Sequence, residues 1–355
     1  MRLNVRLAPA FAAFGTFILC MASCDWISLA KNSLNYRETK RGEVANVVVR
    51  DSLAYATAAE DGLLIINIRT GERLEVVAPA SVGESIDDVA IADDFLFVLD
   101  AKIPGHISVY SLKDPAHPDI ASPPLAVPVG PFSGISARDG WCIVSGGTAE
   151  LTVWRYDSTG NLAGPIATSD FGRGQPDVLL DKSGFAYVSA HYWGPNFGID
   201  IGKFEQATNE FRKLGSLELD GAGFTEGGAK PANFPIESAL LSPETLLVAF
   251  AKGLAVVDVS LPDTPKLIKI IDVGGQAVNV DVLDRTAAVA VYAAHPSVAF
   301  VEFSSASDGS VRHIQLKPGT FPTGVALTDD YAVVAAHEQG VLIFELKASN
   351  QLIGG

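Results

Sequence analysis

The sequence predicts an all-β chain, a seven-bladed β-propeller of four-stranded antiparallel blades closed by an N-terminal strand. Three observations predict it. A block of short apolar strands recurs seven times, each copy carries a polar turn after its first strand, and the apolar runs are rich in β-branched residues with Gly and Pro between them. No apolar period of 3.6 persists, which argues against helix.

In chain order the blocks begin EVANVVVRDSLAYATAAEDGLLIINI and SIDDVAIADDFLFVLDAKIPGHISVYSL, then FSGISARDGWCIVSGGTAELTVWRY and QPDVLLDKSGFAYVSAHYWGPNFGIDIGKF. They continue with FPIESALLSPETLLVAFAKGLAVVDV, QAVNVDVLDRTAAVAVYAAHPSVAFVEF and FPTGVALTDDYAVVAAHEQGVLIFEL. The first turns fall at Asp51, Asp94, Asp139, Ser183, Pro243, Asp284 and Asp330, spaced by 43, 45, 44, 60, 41 and 46 residues. A fourth strand follows most blocks, such as LEVVAPA after RTGER and KLIKIIDV after SLPDTP. Four short strands in about 40–45 residues describe one propeller blade, a sheet that buries its two faces only by stacking on neighbours.

A ring of blades must also cover its last sheet edge. LNYRETKRGEVANV (34–47) matches KIIDVGGQAVNV (269–280): in both, a strand precedes a Gly and then an innermost strand ending in Asn-Val. Residues 34–40 therefore read as an outermost strand without a blade of its own, expected beside the block at 321–346. Gln351–Ile353 is the other strand that could fill that place. Strand order puts the polar first turns on one face, here the bottom, and the second-to-third-strand loops and blade connections on the other, the top.

GLAVVDVSLPDTPKLI (253–268) resembles the LVIVD repeat, a propeller family of bacterial surface and envelope proteins, and GLLIINIRTGERL and HISVYSLKDPAHPDI are looser copies. The resemblance spans residues 43–346 and implies a blade, not a chemistry.

The N-terminus carries Arg2 and Arg6, an apolar run from Leu7 to Met21, then small residues, which is the layout of an export signal. Met21-Ala22-Ser23-Cys24 resembles the lipobox of bacterial lipoproteins, with Met21 where leucine is usual, and this resemblance implies that Cys24 is acylated. Asp25 resembles the inner-membrane retention signal of enterobacterial lipoproteins. The expected organisation is a signal peptide over 1–23, a tether over 24–33 and a single propeller over 34–355, in a bacterial cell envelope and facing the periplasm or the surface.

The chain has 355 residues, 48% of them hydrophobic, enough for a large core. Its formal charge is −15, and without residues 1–23 it has 24 basic against 41 acidic residues, or −17. Such a surface repels phosphate backbones and argues against nucleic-acid partners. Beyond the leader Cys142 is the one cysteine, in the strand WCIVS, so it forms no internal disulfide and reads as a small buried hydrophobe.

The top-face loops hold what is unusual. His191, His295 and His337 sit in second-to-third-strand loops, with His106 closing a longer one. Tyr192, Trp193 and Phe197 extend the His191 loop, while Phe224 and Phe234 belong to the longest insertion, 220–235. Aromatic and Gly-hinged loops on a rigid scaffold suit a contact patch, so these eight residues form the candidate binding set. The same insertion could instead fold over the channel as a plug. No HExxH, CxxC or CxxCH string marks a metal or haem site, and no nucleophile elbow or phosphate loop is present, so neither catalytic residue nor cofactor is assigned. The expected function is a lipid-anchored, non-catalytic interaction module for an envelope protein or surface polymer. The alternative is a propeller hydrolase or oxidoreductase with a metal or small ligand at the channel mouth.

Overall fold

In the computed structural model, the described residues are 30–35, 44–58, 62–77, 86, 88–100, 105–127, 134–146, 150–170, 174–191, 197–205, 207–219 and 237–346. They form 28 strands in seven four-stranded antiparallel sheets. Strand β1 (Ala30–Asn35) precedes the first blade, which holds β2 (Val44–Arg50), β3 (Leu53–Ala58), β4 (Gly62–Asn67) and β5 (Glu72–Val77). Blade two holds β6 (Asp88–Ala92), β7 (Phe95–Asp100), β8 (Gly105–Ser111) and β9 (Asp119–Val127). Blade three holds β10 (Ile135–Arg138), β11 (Trp141–Ser145), β12 (Glu150–Tyr156) and β13 (Leu162–Asp170). Blade four has the longest strands: β14 (Gly174–Leu180), β15 (Phe185–His191), β16 (Phe197–Glu205) and β17 (Glu210–Leu219). Blade five holds β18 (Ser238–Ser242), β19 (Thr245–Phe250), β20 (Gly253–Asp258) and β21 (Lys266–Ile271). Blade six holds β22 (Gln276–Leu283), β23 (Thr286–Tyr292), β24 (Ser297–Ser305) and β25 (Asp308–Gln315). Blade seven holds β26 (Gly324–Leu327), β27 (Tyr331–Ala335) and β28 (Val341–Leu346), and β1 completes it.

The expected N-terminal closure is present, displaced along the chain. β1 pairs antiparallel with β28 from Ala30↔Leu346 to Asn35↔Leu342, so the closing strand begins four residues before Leu34 and shares only Leu34 and Asn35 with the expected 34–40. The match to KIIDV located the strand by analogy of spacing, and a connection of different length shifts such an estimate without changing the partner. Residues 36–40 and the alternative Gln351–Ile353 lie outside the described residues.

The first turns take the predicted form for a stated reason. Asp51, Asp139 and Asp284 have φ of 55°, 50° and 53°, a left-handed backbone that short polar side chains tolerate better than branched ones. In blade two the left-handed residue is Asp93 (φ 51°), one before the Asp94 read from sequence.

Packing repeats with the blades. Among the described residues seven apolar clusters occur, and each joins one consecutive pair of blades. Trp154, Phe97 and Tyr156 fill the seam of blades two and three, and Val44, Ala56, Val333 and Ile343 fill the seam of blades one and seven. Burying a side chain of this size stabilises by roughly 1.5–3 kcal/mol, so the seams hold the ring together. Cys142 lies fully buried in one of them, and burial pushes its thiol far above the usual range, which makes it the inert hydrophobe the sequence implies.

Candidate functional site

The innermost strands β2, β6, β10, β14, β18, β22 and β26 line a central channel of about 460 Å³. An innermost strand has a neighbour on one side only, so its channel-side N–H groups need other partners. Side chains of the preceding blade supply them. Asp88 Oδ2 accepts the N–H of Ile135 at 2.8 Å, and Ser136 Oγ accepts that of Leu180 at 3.0 Å. Asp177 accepts the N–H groups of Val178 and Ser238. Asn279 Oδ1 accepts from Val325 at 3.0 Å, and Asp281 Oδ2 from Leu327 at 2.7 Å. Thr323 Oγ1 donates to the Val44 carbonyl at 2.8 Å, and Asn46 Nδ2 donates to Asp88 Oδ1 at 2.6 Å. Glu237 lies near the Asn279 side chain, whose Nδ2 has no hydrogen-bond partner among the described residues. These hydrogen bonds link blades one to five in turn, then six to seven and seven to one.

Close approach along this ring depends on two glycines. A Cβ on Gly134 would stand 2.8 Å from Asp177 Cα, and one on Gly324 would stand 2.8 Å from Asn46 Oδ1.

The channel carboxyls are electrostatically coupled. Burial, with the Asp88 charge nearby, raises Asp177 from 3.8 to about 8. Burial also drives Glu237 well above the carboxylate range, aided by repulsion from Asp177, Asp88 and Asp281. Asp281 is raised by burial against the pull of the Leu327 and Val282 amides. Among the described residues no three His, Cys, Asp or Glu side chains are grouped so as to hold a metal ion. The carboxyls are placed to cap backbone amides of the next blade.

Sequence reasoning did not single out Asp88, Asp177, Glu237 or Asp281. A signal was present: Asn46, Asp88 and Asn279 each stand five residues before a left-handed Asp. The stronger apolar alternation of each block hides it.

Of the eight residues expected on the top face, two have described side chains. His295 is exposed in the β23–β24 loop, and His337, half-buried, occupies the β27–β28 loop with φ 47°. His191 ends β15 and pairs with Phe197 at the start of β16, which fixes their backbone positions. Tyr192, Trp193, Phe224 and Phe234 lie outside the described residues, as does Cys24. His337 belongs to an aromatic row that sequence reading missed. Its ring meets Phe321 edge-on at 5.7 Å, and Phe321 lies 4.5 Å from Tyr292. The backbone of His337 also exchanges two 3.2 Å hydrogen bonds with Val44, so this loop is fixed to the innermost strand of blade one. A row of partly exposed rings on an anchored loop forms a rigid surface beside the channel mouth.

No family model matches the chain, and no curated protein matches it in sequence. Solved structures do match in fold. The WD40 repeats of RRP9 superpose with a TM-score of 0.65 at 12% identity, covering 90% of this chain and 99% of that one. U3-55K gives the same TM-score and identity, over 90% of this chain and all (100%) of that one. The WD40 propeller domain of Doa1 gives 0.62 at 12% identity, over 90% and 97%. At this identity the likeness is one of fold alone, and the chain is a seven-bladed β-propeller of the architecture that WD40 proteins share.

Proposed function

We propose that this chain is a lipid-anchored β-propeller of the bacterial cell envelope that acts as a non-catalytic interaction module through its top face. The propeller fold is consistent with a protein-interaction scaffold. The observation that carries the reading is the Tyr292–Phe321–His337 row, held rigid at the channel mouth with exposed His295 in the neighbouring top loop. Aromatic side chains bring large contact area at little entropic cost, so preorganised rings favour recognition of a protein or polymer surface. His191, Tyr192, Trp193, Phe197, Phe224 and Phe234 extend the proposed patch.

The lipobox resemblance at Cys24 and the LVIVD-like repeat support the envelope address. β1 starts at Ala30 beside Leu346, on the bottom face, so an acyl group on Cys24 is tethered by only the short segment between them. Six residue steps reach at most about 20 Å, which keeps the bottom towards the membrane and the top away from it. Two measurements test the halves separately. A palmitate analogue should label the chain, and Cys24→Ala should abolish the labelling. Crosslinking in intact cells should give discrete adducts that Phe321→Ser with His295→Ser removes while the melting curve is kept. Adducts indifferent to that pair would remove the top face from the function.

A further inference from the structure

A second concavity opens on the bottom face, between blades three and four, with a volume of about 340 Å³. That is within the size range of small-molecule sites, roughly 300–1,000 Å³. It exists because the first hairpin of blade four, residues 181–184, has four loop residues where blades one, two, three, five and six have two. The longer hairpin leaves a space beside β10 and β11.

The floor is apolar: Ile143, Val153, Leu180 and Phe204 are buried there, and the Trp141 indole forms one wall. Trp141 is fixed in place, with Phe204 at 4.7 Å and the Arg155 guanidinium 5.7 Å from its ring centre. The rim is charged, and its charges are unequally occupied. Asp181 is turned into its own hairpin, accepting the N–H groups of Ser183 at 2.7 Å and Phe185 at 2.8 Å. Glu205 stands 3.9 Å from Lys203, whose ammonium also lies 5.2 Å from the Phe185 ring. The side chains of Arg138 and Lys182 make no hydrogen bond or ion pair with a described residue, and among the rim acids Asp139 too has no such bond. On a chain of net charge −15 this leaves two cations and one acid over an apolar floor with an indole packed in place.

We propose that this cavity binds a small amphipathic anion, with a flat apolar body against Trp141 and Phe204 and a carboxylate, sulfonate or phosphate held by Arg138 and Lys182. The guanidinium supplies paired donors for a planar anion, and the ammonium adds a point charge. The site is independent of the top-face reading and lies on the opposite end of the blades.

Isothermal titration of the full chain with 2-naphthalenesulfonate tests it. One molecule should bind per chain. Arg138→Gln with Lys182→Gln, both at the surface, should weaken binding roughly tenfold or more, as expected for losing charge-assisted hydrogen bonds. Trp141→Ala should abolish it. Leu267→Ser with Ile270→Ser, on the exposed outer strand of blade five, should leave it unchanged. Absence of saturable binding, or affinity within about twofold of wild type in the Arg138/Lys182 variant, overturns the proposal, because a tenfold loss is the smallest the lost contacts should give. So does a loss that follows the Leu267/Ile270 variant instead.

Discussion

Along the channel, amides of one blade are met by side chains of the blade before it; along the rim, each outermost strand has no further strand beside it. The inner set is uniform in role, with Asp88, Ser136, Asp177, Asn279 and Asp281 each accepting from the next blade. The outer set shares no such common role, and its sequences vary. β9 carries Pro123 and Pro124, β13 carries Pro165, and β17 carries Glu210, Arg212, Lys213 and Glu218. These residues blunt an edge against pairing with another chain. β21 is the exception, presenting Leu267, Ile268 and Ile270 at about 40% exposure between Lys266 and Lys269. The inner edges are thus bonded from blade to blade, whereas bulk water can satisfy an outer edge.

The largest expected effect breaks the outer closure. Deleting residues 1–35 removes β1 and bares the β28 edge. We expect a stability loss of about 5 kcal/mol or more, the scale of whole-element losses, with association that grows with concentration. Thermal melts and size-exclusion chromatography measure both. An unchanged melt would mean that the inner contacts alone, Val44 with His337 and Thr323, close the ring.

Next comes the inner ring itself. Asp177→Ala orphans the Ser238 amide and should cost about 1–3 kcal/mol in denaturant unfolding. Gly134→Ala should cost a similar amount, about 1–3 kcal/mol, because its Cβ meets the Asp177 backbone.

The same residue sets a pH dependence. Folding raises Asp177 from 3.8 to about 8, so between these values the folded chain keeps a proton that the unfolded chain releases. Its contribution is full below about pH 4 and is lost as pH rises through about 8. Glu237, shifted in the same direction, adds to it. Asp177→Asn should flatten the decline measured by urea unfolding across that range. A wild-type stability that climbs towards pH 8 would contradict the assignment.

Smaller effects sharpen the contrast. Thr323→Val keeps the shape but removes the bond to Val44, at a cost of about 1 kcal/mol. Leu267→Lys with Ile270→Lys on the β21 edge should change stability by no more than about 0.5 kcal/mol while reducing self-association in light scattering.

Much of this architecture is legible in the chain. Seven blocks, Asp turns and the homology of VANV with AVNV place every innermost strand and predict that an N-terminal segment completes the last blade. The reason is that strand alternation and turn chemistry are local properties, and a ring of repeats converts local signals directly into global form. The top-face histidines His295 and His337 are legible in the same way, as loop positions. The starting point of β1 is less so, since register depends on which residues of β28 it meets.

What the tertiary structure decided is company. Asp88 and Asp177 read as ordinary polar residues at the start of strands, and only closure of the ring puts a neighbour's amide and a second carboxyl within reach. Phe321 and Tyr292 lie far apart in sequence, and blades six and seven bring their rings to 4.5 Å. The bottom cavity likewise joins Arg138 and Trp141 of one blade to Lys182 and Phe204 of the next. The sequence determines each blade because a blade is contiguous; contacts between blades follow from stacking, which no local pattern encodes.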